Sequence, residues 1–76
     1  MTYTMIVDFE LASFKLGDDN SPNITHFIDM LVLDVDNNRI RFDLRNFKDY
    51  SKAQSFLTYC RLNKDKLLDQ ANRYAL

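Results

Sequence analysis

The sequence predicts a small α+β domain of βββα type, a three-stranded antiparallel sheet packed on one face by a C-terminal helix. Three observations lead there. Residues 3–13 and 39–45 alternate apolar and polar side chains with period two, as half-covered strands do. An apolar stretch over residues 25–35 meets the second of these through Asp36-Asn37-Asn38-Arg39, where two Asn residues tolerate the positive φ of a tight hairpin. The last third of the chain repeats apolar residues at helical spacing.

In the first strand, Tyr3, Met5, Val7, Phe9 and Leu11 share one face, and Thr4, Ile6, Asp8, Glu10 and Ala12 share the other. Residues 17–23 are dense in turn formers and carry Asp18 and Asp19, so an acidic loop is expected there. Residues 14–25 are long enough to let the first strand pair with either of the others. Asn23 could instead cap a short helix with Phe27, Ile28 and Leu31 as its apolar stripe. Strand propensity and a matching partner across the turn favour a strand over 25–35.

Taking 36–39 as the hairpin turn, with Asp36 opposite Arg39, sets Val35 opposite Ile40, Leu33 opposite Phe42 and Leu31 opposite Leu44. The core face of the second strand is then Phe27, Asp29, Leu31, Leu33 and Val35, with Asp29 as its misfit. The third strand turns Ile40, Phe42 and Leu44 inward and Arg39, Arg41, Asp43 and Arg45 outward.

The helix is expected over 51–74. Ser51 with Gln54 three residues on forms a capping-box pattern. Its stripe is Ala53, Phe56, Leu57, Cys60, Leu67, Leu68, Ala71 and Ala75, spoiled only by Lys64. Asn63 marks a kink or a split into two helices. An unbroken helix of this length would run about 36 Å and overreach the sheet. Its far half must therefore fold back or pack on something else.

Seventy-six residues make one domain. With 46% apolar and 28% charged residues, the composition is globular rather than disordered. Cys60 is the only cysteine, which excludes an intramolecular disulfide, and His26 is the only histidine, so no zinc site is expected. No cofactor is expected either. Asp29, Asp34 and Asp36 interrupt the most apolar segment before it could span a membrane. Asp8 and Glu10 fall where a signal peptide would be apolar. These features point to the cytoplasm, including a host cytoplasm if the protein is encoded by a virus or mobile element.

Charge is divided along the chain. Residues 1–38 carry seven acidic side chains and one lysine, a net −6, and residues 39–76 carry nine basic and four acidic, a net +5. Such asymmetry can orient a partner or a second copy.

The chemistry-bearing motifs are weak. Asp34-x-Asp36-x-Asn38 begins like a calcium loop, but Arg39 and Arg45 stand where the bend glycine and the bidentate glutamate belong. Asp18-Asp19-Asn20 reads as a solubilising loop. His26 reads as a rim histidine without a sequence-local nucleophile, and Cys60 as a small hydrophobe in the helix stripe. No enzymatic role is expected.

The open side of the sheet carries the functional expectation. Ile6, Met30 and Val32 are expected there among Asp8, Glu10, Asp34 and Arg41, an apolar centre ringed by charge. These seven residues are the expected contact surface of a non-enzymatic protein-binding module, an inhibitor or regulatory protein whose partner is another protein. One alternative is a homodimer closed by the same patch. The other is nucleic-acid binding by Lys52, Arg61, Lys64, Lys66 and Arg73 with the hairpin arginines. A sequence pI of 5.6 and the interleaved Asp65 and Asp69 oppose that alternative.

Overall fold

Strand β1 (Tyr3–Leu16), strand β2 (Asn23–Asp34), strand β3 (Arg39–Phe47), helix α1 (Tyr50–Leu62) and helix α2 (Lys64–Tyr74) follow one another along the chain. They are seen in a computed structural model that describes residues 2–17, 20 and 23–74. The sheet is antiparallel in the order β1-β2-β3, and the helices follow at the C-terminus, as the α+β reading expects. Of the expected acidic loop, Asp18 and Asp19 lie outside the described residues, as does Ala75 of the helix stripe.

The hairpin departs from the expected two-residue turn. Its closing pair is Asp34–Asn38, with the Asp34 N–H donating to the Asn38 carbonyl at 3.1 Å. The Asn37 N–H donates to the Asp34 carbonyl at 3.1 Å, and Asn37 takes φ 63°, as a three-residue loop ending in a left-handed residue requires. The Asp34 carboxylate selects this turn. Its Oδ1 accepts from the Asp36 and Asn38 N–H groups at 2.8 and 2.9 Å, and its Oδ2 accepts from Asn38 Nδ2 at 3.1 Å.

The consequence reaches the whole of β2. Val32 pairs with Ile40 and Met30 with Phe42, whereas the two-residue turn would have set Val35 and Leu33 there. An odd shift of register reverses the faces of a strand. Ile28, Met30 and Val32 therefore face the helices and are buried, while Phe27, Asp29, Leu31 and Leu33 take the open side. Asp29, the misfit of the expected core face, finds the open side it requires.

β1 is corrected by two bulges. Register shifts between Tyr3 and Met5 and between Ile6 and Asp8 each insert one residue, so strict alternation fails at both places. Tyr3, Ile6, Phe9 and Leu11 form the helix-facing set, opposite Asp34, Val32, Met30 and Ile28. Met5 and Val7, expected in the core, are exposed. In β3 the inward set Ile40, Phe42 and Leu44 is as expected, and all three pack on the core.

The helical stripe forms as its spacing predicts: Ala53, Cys60 and Ala71 are buried, and Phe56, Leu57, Leu67 and Leu68 pack against the same core. The N-cap, however, is Asp49, whose carboxylate accepts from the Ser51 N–H at 2.8 Å, and not Ser51. Asn63 splits the helix. Its N–H donates to the Cys60 carbonyl and its Nδ2 to the Tyr59 carbonyl, closing α1, while its own carbonyl accepts from Leu67 and opens α2. The break lets α2 fold over β1. There the Tyr3 N–H donates to Asn72 Oδ1 at 2.6 Å, and Asn72 Nδ2 donates to the Tyr3 carbonyl at 3.1 Å.

The open face of the sheet as a candidate binding site

Both helices lie on one side of the sheet, so the other side has no covering element among those described. Cross-strand pairing arranges its residues in rows. Met5, Leu33 and Arg39 make the first row, Asp8, Leu31 and Arg41 the second, and Glu10, Asp29 and Asp43 the third. Ala12, Phe27 and Asn46 make the fourth. Apolar β2 side chains thus form a central line, with charges to either side and an acidic row across the middle.

Arg41 ties the middle rows together. Its Nη1 donates to Glu10 Oε2 at 2.8 Å and to Asp29 Oδ2 at 3.1 Å. The hydrogen bond to Glu10, then that to Asp29, hold the guanidinium pKa above its ordinary value. Asp43 stands directly across from Asp29, and among the described residues no cation pairs with it. With Asp8, Glu10, Asp29 and Asp43 against Arg39 and Arg41, the face is acidic on balance.

Towards the β1–β2 turn, this face opens into a groove of about 510 Å³ lined by Phe14, Lys15, Leu16, Phe27, Asp29, Arg41 and Asp43. Phe14 meets Phe27 edge to face at 5.7 Å and remains half exposed. Its apolar floor, rimmed by two aspartates and two cations, suits an aliphatic or aromatic side chain.

Of the seven residues expected to form the contact surface, Asp8, Glu10 and Arg41 lie on this face. The other four do not, because the register places them on the helix side. Met30 is 2% and Val32 0% exposed, Ile6 packs against the core, and Asp34 is held in the turn. There, hydrogen bonds led by the Asn38 N–H hold its carboxyl below the ordinary range. The residues that replace them are Leu31, Leu33, Phe27, Met5 and Phe14. The signal that could have found them was Asp29, whose charge marks the odd-numbered side of β2 as the uncovered one.

The remaining polar groups serve the fold. His26, expected at a rim, is buried beneath the ring of Tyr50 at 5.1 Å, and its Nδ1 is hydrogen-bonded to Ser13 Oγ at 2.6 Å across the β1–β2 pair. Cys60 is fully buried, and burial pushes its thiol pKa up, away from the reactive thiolate. Arg45 lies over the rings of Phe47 and Phe56 at 5.1 and 5.7 Å. Among the described residues no group of three or more His, Cys, Asp or Glu could hold a metal ion, and no helix is long and apolar enough to cross a membrane. Comparison with protein-family models, with curated proteins and with solved structures found no match to this chain.

Proposed function

We propose that this domain is a non-enzymatic protein-binding module, and that the open face of its sheet docks a partner surface that is apolar and basic. The observation that carries the reading is the line Phe27, Leu31 and Leu33 on a face with no covering helix, flanked by Asp8, Glu10, Asp29 and Asp43. The aliphatic and aromatic side chains supply area to be desolvated, and the acids set orientation and encounter rate. A module of this kind alters its partner by occupying a surface, which is the action of an inhibitor or regulator. Its single thiol is compatible with the reducing cytoplasm.

Nucleic acid fits this surface poorly. Several arginines that could meet phosphate are already engaged: Arg41 with Glu10 and Asp29, Arg45 over two rings, and Arg73 with Asp69 at 3.1 Å.

The test compares capture from lysate by the wild type, by a Leu31→Ser/Glu10→Lys variant and by a helix variant, Lys52→Glu/Lys66→Glu. The expected result is a protein recovered by the wild type and the helix variant and lost by the sheet variant, whose thermal unfolding stays cooperative. Equal recovery by all three, or loss only with the helix variant, would reject the open face as the binding surface.

A further inference from the structure

The two edges of the sheet are built differently. The β1 edge is interrupted by bulges at Thr4 and Val7, and at its start the Asn72 amide occupies the N–H and the carbonyl of Tyr3, as a neighbouring strand would. Bulges and covering side chains are ordinary protections against edge-to-edge pairing. β3 carries one bulge, at Leu44, and its outer edge is regular from Arg39 to Asp43. Among the described residues its only strand or helix neighbours are β2 and α1, and no turn or loop backbone bonds to it.

The exposed strand is also complementary to itself. Ile40-Arg41-Phe42-Asp43-Leu44 laid antiparallel on its own copy, with Phe42 on the two-fold axis, sets Arg41 opposite Asp43 of the second copy and Asp43 opposite Arg41. Both pairs fall on the open side of the sheet. On the helix side, Ile40 meets Leu44 of the second copy, and the two Phe42 side chains meet at the axis. All three apolar residues pack on the core but are only partly buried in the single chain. α2 lies over β1 and leaves a groove of about 210 Å³ beside β3, lined by Met30, Phe42, Asp43, Leu44, Leu67, Gln70 and Ala71.

We propose that β3 is the seam of a two-fold homodimer in which the sheets of two copies join edge to edge through Ile40–Leu44, with reciprocal Arg41–Asp43 pairs made by the guanidinium N–H groups that the Nη1 bonds to Glu10 and Asp29 leave over. Opposite charges directly across an antiparallel pair stabilise it, and like charges oppose it. A two-fold seam uses the same patch twice, so each favourable or unfavourable pair counts twice. The bulge at Leu44, where the β2–β3 register shifts, bends β3 and ends the seam at that residue. A seam this short gives a weak, concentration-dependent dimer. The inference rests on the edge and its sequence, not on the binding role of the open face. If both hold, the dimer doubles that face.

Sedimentation velocity over a concentration series tests it with the full chain and two charge variants, Asp43→Arg and Arg41→Glu. The wild type is expected to dimerise as concentration rises. Asp43→Arg sets arginine against Arg41 at both contacts and is expected to weaken the dimer at least about tenfold. Its fold is expected to hold, because it also removes the Asp29–Asp43 like-charge pair within the chain. An equimolar mixture of Asp43→Arg and Arg41→Glu is expected to form a heterodimer, although neither variant self-associates. A monomeric wild type at the highest concentration reached, a dimer unmoved by Asp43→Arg, or folded variants that fail to associate when mixed would each overturn the seam.

Discussion

Consecutive residues of β2 meet opposite fates. Ile28, Met30 and Val32 are at most 2% exposed, whereas Phe27, Leu31 and Leu33, no less apolar, lie on the side without a helix. Hydrophobicity alone does not separate the two sets. What separates them is the turn that fixes their pairing and the side on which the helices settle. The lesson is that a central strand apolar on both faces can carry a core on one and an interaction surface on the other.

The comparison can be broken most sharply with a buried charge. Val32→Asp should lower stability by about 3–5 kcal/mol at neutral pH, the cost of an unpaired buried carboxylate and a large part of the margin of about 4–11 kcal/mol of a chain of this length. Leu33→Asp, one residue on, should cost about 1 kcal/mol or less. Circular dichroism and urea unfolding read both. Equal damage at the two positions would mean that the open side is covered.

Truncation gives a smaller and more graded contrast. Ile28→Ala should lose about 2–5 kcal/mol through lost burial and the cavity it leaves. Leu31→Ala should lose about 1 kcal/mol or less and keep the slope of unfolding with urea unchanged.

The smallest expected effect concerns the residue that sets the register. Asp34→Ala removes the acceptor for three donors and should lower the melting temperature by less than Ile28→Ala does. Its pH dependence has a defined sign. The Asp34 carboxyl is held below its ordinary range in the folded chain, chiefly by the Asn38 N–H. Its contribution is therefore complete above the ordinary carboxylate pKa and is lost as pH falls through the lowered folded value. The gap in melting temperature between wild type and Asp34→Ala should be constant near neutrality and close in acid. A gap that widens in acid would contradict this assignment.

Much of the fold is legible along the chain because it depends on local pattern. The alternation of Ile40, Phe42 and Leu44 with charged residues predicts both the strand and its inward face. The helical stripe from Ala53 to Ala71 predicts a sheet-covering helix, and Asn63 predicts its break. The candidate site was legible only in part. Asp8, Glu10 and Arg41 were placed on the open face, but Ile6, Met30, Val32 and Asp34 were assigned to it through the wrong register and an unbroken β1. Two bulges and a three-residue turn leave faint marks in sequence, since Thr4, Val7 and Asp34 are ordinary strand and turn residues.

By itself, then, the sequence determined three strands, a C-terminal helical segment with Asn63 as its point of kink or split, and an unequal division of charge, because each follows from periodicity and composition within a short window. Only the tertiary structure decided which side of β2 is core. Both sides of that strand are largely apolar, and Asp29 is the one charge that disfavours burying the odd-numbered side. The choice fell to the Asp34 carboxylate, which fixes the register, and to β3, whose single apolar side must face the same helices.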